Sequence, residues 1–183
     1  MRRIATPLFF VLSLAYPLAV YLGLDRYGPR ALACLLLGMA VLRALQIRSL
    51  RWLALPAVMV GLALAASITG ATMPLKLYPA MVNATLLLIF AASVLSPPTV
   101  VERIARMTDP ALPPQGVVYT RKVTLVWCGF FAFNGMIALA TALWASERIW
   151  ALYNGLVAYM LMGVLFAGEW LVRRRVMAVP PHG

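Results

Sequence analysis

Histidine is almost absent from this sequence: the single one, His182, lies in the tail after Pro180-Pro181. One imidazole cannot supply a histidine metal cluster, a Ser-His-Asp triad or a His-Asp acyltransferase box. Acidic residues are nearly as scarce, with five Asp+Glu in 183 residues, and charged residues of both signs make up 11% of the chain. A soluble domain carries roughly 25%, and a soluble fold is excluded on that ground. Cysteine is limited to Cys34 and Cys128, each inside a long apolar run. No disulfide framework, metal site or cofactor is expected from them, and packing is their expected role.

What is present is hydrophobic and basic: 63% apolar residues, and sixteen Lys+Arg that leave a net charge of +11. In so apolar a chain the positive charge points to a membrane surface rather than to nucleic acid. About 20 apolar residues cross a hydrocarbon layer of roughly 30 Å. Ile4 to Leu24, Trp52 to Leu75, Leu77 to Val101, Val123 to Ser146 and Ile149 to Gly168 are each uncharged over at least 20 residues. The segment from Ala31 to Ile47 is shorter and carries Arg43, whose long stem is expected to reach the headgroups. The predicted fold is therefore all-α, a single transmembrane domain over residues 1–183. Its six spans fall near 4–24, 31–47, 52–72, 77–95, 123–145 and 149–171.

Charge asymmetry orients these spans. Arg2, Arg3, Arg43, Arg48, Arg51, Arg103, Arg106, Arg121, Lys122, Arg173, Arg174 and Arg175 fall on one side, twelve of sixteen. Arg26, Arg30, Lys76 and Arg148 fall on the other. The positive-inside rule then places both termini in the cytoplasm of a bacterium, with the chain in its inner membrane. Met-Arg-Arg before an apolar run resembles a signal peptide, but the run is too long and lacks a polar small-residue cleavage site, so it is read as a retained span.

Ionisable groups within spans are few. Glu169 lies one turn from the cytoplasmic end of span six, where a pair with Arg173, Arg121 or Lys122 is expected, a proton site being the alternative. Asn83 and Asn154 both lie about 8–9 Å inside the periplasmic boundary and are expected to share a hydrogen-bond network. Asn134, near the middle of span five, is expected to lie too deep to join them. All three serve either as helix-to-helix glue or as ligand contacts. Gly61 with Ala65, and Gly163 with Ala167, have the spacing of close helix approach. Tyr78, Trp144, Trp150 and Tyr153 at one boundary, and Trp52, Tyr119 and Trp170 at the other, read as interfacial belts. Trp127 and Phe131 read as core packing.

The connection from Ser96 to Lys122 carries most information. Thr99 and Glu102 have capping-box spacing, so a short interfacial helix is predicted over 99–107. Val100, Val101, Ile104 and Met107 form its apolar face, with Glu102, Arg103 and Arg106 opposite. Pro110, Pro113 and Pro114 predict a stiff extended return to span five. Recurrent arginines with an acidic partner suit planar recognition of phosphate or carboxylate, beyond simple anchoring.

Tyr78-Pro79 with Val82-Asn83, Pro97-Pro98 with Glu102-Arg103 and Ala105-Arg106, Leu112-Pro113-Pro114 with Tyr119-Thr120-Arg121, Val126-Trp127-Cys128 with Phe131 and Asn134-Gly135, Leu152-Tyr153-Asn154-Gly155, and Gly168-Glu169-Trp170-Leu171-Val172-Arg173 form a further pattern. Over Tyr78 to Val176 it resembles a family of small bacterial inner-membrane proteins. Their genes sit among acyl carrier proteins, ketosynthases and acyl-activating ligases, in aryl-polyene (xanthomonadin-like) or fatty-acid-synthase-like clusters. The resemblance implies a pathway rather than a reaction.

The favoured expectation is a non-enzymatic component that contacts membrane lipids and docks acidic acyl carrier protein or other pathway enzymes, or passes a hydrophobic product to the membrane. The alternative is a membrane-embedded acyl- or headgroup-transfer enzyme using Glu102 or Glu169 as base and the arginines as clamps. A proton-coupled lipid or pigment exporter is a third reading. Glu102, Arg103, Arg106, Arg121 and Glu169 are the candidate binding residues, and Asn83, Asn134 and Asn154 the candidate intramembrane polar ones. Oligomeric state is left open.

Overall fold

The computed structural model describes residues 2–45 and 53–177, with side chains over 15–23, 26–45 and 53–174. Arg48, Arg51, Trp52 and His182 lie outside the described residues, as do the side chains of Arg2, Arg3 and Arg175. Every regular element among the described residues is helical. That is the open-chain solution for a backbone that must satisfy its own N–H and C=O groups in hydrocarbon.

Helix α1 (Arg2–Ala44) is broken at Gly28, where φ is 71° and ψ 172°. Only glycine occupies that region without strain, and Pro29 next to it cannot donate to the preceding turn. Gly23 on one half then meets Leu32 on the other, its Cβ position 3.1 Å from the leucine side chain. Helix α2 (Ala54–Thr69) closes on Gly70 in the left-handed region, whose N–H bonds the Ala66 carbonyl. A single turn, α3 (Met73–Lys76), leads into α4 (Tyr78–Leu95), with Pro79 in its first turn.

The interfacial helix predicted over 99–107 is α5 (Val100–Thr108), and the Thr99 side chain accepts from the Glu102 N–H at 3.2 Å as the capping spacing requires. Helix α6 (Pro114–Trp144) begins nine residues before Val123. The stiff return predicted through Pro114 is thus corrected, because proline in a first turn gives up an N–H that has no partner there anyway. Helix α7 (Glu147–Leu152) starts on Ser146 and runs through a π-helical turn at Tyr153–Val157 into α8 (Ala158–Met177).

Among the described residues, Arg26–Ala44, α4, α6 and Glu147–Arg174 are long and apolar enough to cross a membrane. Helix α2 has 16 residues, about 24 Å at 1.5 Å each, against the 21 expected for span three.

Two packed clusters hold the fold. One joins Tyr16, Leu36, Met39, Met59, Leu75, Tyr78 and Trp150, between the two halves of α1 and α2, α3 and α7. The other is aromatic: Phe90, Trp127 and Phe131 lie between α4, α5 and α6, and Trp127 meets Phe166 of α8 at 4.6 Å. Core packing of Trp127 and Phe131 is as expected, but Cys34 is exposed and therefore not a packing residue.

Small-residue spacing misled in both places. Gly61 and Gly163 have nothing within 4 Å of a Cβ position, whereas Gly135 on α6 places one 3.0 Å from the Asn83 Cβ on α4. Tyr78 and Trp150 are also corrected, from boundary residues to buried ones. The Tyr78 ring meets Tyr16 edge-on at 4.6 Å, and the Trp150 indole donates to the Lys76 carbonyl at 3.0 Å. The Trp150 N–H thus finds its partner inside the protein. Trp144 and Trp170 stay exposed at the two ends.

Candidate functional site

Helices α4, α6 and α8 expose two polar regions, one within the bundle and one at its basic end. In the first, Asn134 on α6 donates from Nδ2 to Asn83 Oδ1 on α4 at 3.1 Å, and the Tyr153 hydroxyl donates to Asn134 Oδ1 at 2.9 Å. Asn83 Nδ2 in turn donates to the Pro79 carbonyl at 2.8 Å. All three asparagines are buried.

The expectation that Asn134 lies too deep to meet Asn83 is corrected, and the reason is helix stagger. Arg121 of α6 donates to the Val94 carbonyl of α4 at 3.1 Å, which brings these two residues to one level. From there Asn134 is 13 residues along α6 and Asn83 is 11 residues along α4, about 20 and 17 Å. Counting from uncharged boundaries hides this, because α6 overruns α4 at both ends. Asn154 does not bond Asn83. Its Nδ2 donates to Thr141 Oγ1 at 3.2 Å and to the Trp150 carbonyl at 2.9 Å, inside the π-helical turn.

Tyr153, expected in a belt, is a member of the network, and Thr141 was overlooked. Adjacency of Tyr153 to Asn154 at a π-helical turn is the signal that could have found it. A π-turn shifts the facing of successive side chains, so neighbours reach partners that an α-helical wheel separates.

The second region is the end where α4 stops, α5 lies across and α6 starts. Arg106 on α5 donates to Glu102 Oε1, with both Nε and Nη2 at 2.9 Å, and Nη1 reaches the Pro110 carbonyl at 3.3 Å. The i,i+4 pair is as expected. Its placement is not: Glu102 is only 5% exposed, while Ile104 and Met107 are 58% and 85% exposed. Helix α5 thus turns Val100 and its ion pair toward the bundle and leaves two apolar side chains outward. Next to acyl chains that orientation carries no penalty, since lipid is as apolar as a protein core.

Arg106, Arg121 and Glu169 each take a separate partner within the fold. Arg121 is held on the Val94 carbonyl, while Glu169 accepts from the Tyr119 hydroxyl, 3.3 Å from Oε1 and from its own backbone carbonyl. Tyr119 and Arg121, two residues apart on α6, point roughly 200° apart. The expected arginine or lysine partner of Glu169 is therefore replaced by a tyrosine. Arg174 lies over the Trp170 ring at 4.7 Å. Arg43 is a half-buried residue of α1, within electrostatic reach of Tyr78 at the start of α4.

Among the described residues, no group of three or more His, Cys, Asp or Glu side chains could hold a metal. A groove of about 420 Å³ runs between α4 and α5 at the basic end, with Arg103 in its wall. Compared with known proteins, the chain matches no family model, no curated protein and no solved structure.

Proposed function

We propose that the chain is a non-enzymatic component of a bacterial inner membrane that serves an aryl-polyene or related acyl-lipid biosynthesis system. In this role it docks acidic acyl carrier machinery, or passes a hydrophobic product to the bilayer. Six spans with cytoplasmic termini accompany the proposal, the short α2 crossing with local thinning of the bilayer. The observation that carries it is the basic end. Arg103, Arg106, Arg121, Lys122, Arg173 and Arg174 gather where an amphipathic helix lies across an apolar bundle. Arg106 and Arg121 are bound into the fold, which leaves Arg103 and Lys122 to face outward partners. A carrier protein is acidic and displays a phosphate ester, and such a surface steers and retains it.

The transferase reading is less well supported. It needs a carboxylate free to act as base, and Glu102 is engaged by Arg106 while Glu169 is engaged by Tyr119. An exporter coupled to protons needs a titratable group deep in the bundle, and the polar residues there are amides and hydroxyls.

Complementation tests the proposal. In a pigment-producing host lacking this gene, the Lys122→Glu/Arg174→Glu variant should insert and accumulate normally, yet give reduced pigment and reduced cross-linking to the carrier protein. Undiminished pigment in the host without the gene would remove the pathway assignment.

A further inference from the structure

The groove between α4 and α5 is walled by Leu88, Ile89, Ala92 and Val100, with Ser96 and Arg103 at its basic end. Its floor is closed by a capping contact: Ser93 Oγ accepts from the Val100 N–H at 3.1 Å and donates to the Phe90 carbonyl at 2.7 Å. The walls therefore present no free hydrogen-bonding group of Ser93, and the slot is apolar along its length. From Ser96 to Leu88 is eight residues of α4, about 12 Å. Leu88, Leu95, Ile104 and Met107 are exposed on and beside it, so the groove opens onto the lipid-facing side of the bundle.

Arg103 is the exception in this setting. The residue is half-buried, and among the described residues it makes no hydrogen bond or ion pair. Glu102, its neighbour in sequence, is turned inward and is taken by Arg106. A cation part-removed from water is stabilised by an anion that it can bind with two parallel N–H bonds, and phosphate fits that geometry. Helix α5 places this cation at the end of α4, the level at which lipid headgroups begin, with an acyl-sized slot running inward from it.

We propose that this groove binds one amphiphile with a phosphate head and an acyl tail, the phosphate on Arg103 and Ser96 and the tail along Leu88, Ile89 and Ala92. The inference deepens the proposed role and rests on its membrane placement. Its test uses purified protein alone, so it succeeds or fails independently of pigment output. A membrane phospholipid and a single-chain acyl phosphate share this chemistry, and the assay separates them.

The full chain, purified in a neutral detergent, would be titrated with dodecyl phosphate and with phosphatidylglycerol, and adducts counted by native mass spectrometry. One saturable dodecyl phosphate per chain is expected. Arg103→Ala should weaken it roughly tenfold or more, as for loss of a charged hydrogen-bond pair. Ala92→Trp, which fills the slot without changing charge, should weaken it comparably. Arg103→Lys, which keeps the charge but not the planar fork, should recover only part of the binding, and Arg148→Ala, on α7 away from the groove, should match the wild type. Equal phosphatidylglycerol binding with the same Arg103 dependence would identify the occupant as membrane lipid, and binding of dodecyl phosphate alone would identify it as a single-chain product. Unsaturable binding, or wild-type binding by Arg103→Ala or Ala92→Trp with unchanged helicity and a single gel-filtration peak, would overturn the site.

Discussion

Replacing Asn134 by alanine should destabilise the bundle more than any other single amide-to-alanine change in it. Asn134 accepts from Tyr153 and donates to Asn83, so its removal strips a partner from each of two groups on two other helical segments. Asn134 is 3% exposed, and no water replaces the lost bonds. Hydrogen bonds between membrane helices are worth about 0.6 kcal/mol on average and up to about 1.7. Two of them give a loss of roughly 1–3 kcal/mol. Asn154→Ala breaks one bond to another side chain, to Thr141, and should cost about half as much. Reversible unfolding in mixed micelles, with the denaturing detergent fraction as the variable, measures each loss. A double-mutant cycle of Asn134→Ala with Tyr153→Phe should return a coupling of about 0.5 kcal/mol or more. A coupling of zero, or a cost for Asn134→Ala no larger than for Asn154→Ala, would refute the three-membered network.

Gly135→Ala should also destabilise, because its methyl would stand 3.0 Å from the Asn83 Cβ and force α4 and α6 apart; Gly163→Ala, with open space around it, should unfold at the wild-type detergent fraction. Arg106→Ala should lower thermal stability by about 1–2 kcal/mol, since it leaves the buried Glu102 carboxylate without its partner, the figure being reduced for the exposure of the arginine. The double variant Glu102→Gln/Arg106→Ala should recover part of that loss in the same melting assay, and no recovery would show that the pair acts through packing alone. With Cys34 and Cys128 replaced by alanine, a membrane-impermeant thiol reagent applied outside cells should label a cysteine at Thr72 or Glu147 and miss one at Gln115; labelling at Gln115 would reverse the proposed orientation.

Much of the architecture was legible because long uncharged apolar runs leave a chain few options other than helix. Uncharged runs gave the apolar helices, Thr99 and Glu102 gave the start of α5, and Glu102 with Arg106 gave its ion pair. Helix ends were less legible. Charge marks where a side chain wants water, not where a backbone stops being helical, and α6 continues past Val123 through Arg121 and Lys122 to Pro114. At the opposite end Asn134 lies ten residues from Trp144 and Asn83 five from Tyr78, and it is this overrun that concealed their common level and their bond.

Stagger has a consequence at the basic end as well. Arg121 falls beside the last turn of α4, where the terminal carbonyls lack intrahelical partners, and it is spent on the Val94 carbonyl. Had α6 started at Val123, the same arginine would have lain in the loop, free for a ligand. Arg103 differs because α5 is short and lies across the bundle end: of its two arginines, Arg106 is one turn from Glu102 and meets it, while Arg103 is turned about 100° from Glu102 along the wheel. Its charge is therefore left at the mouth of the α4–α5 groove. Sequence spacing identified which residues were basic and which were paired one turn apart. The staggered lengths of α4 and α6 decide that Arg121 serves the fold, and the crossing of α5 leaves Arg103 in the wall of the groove.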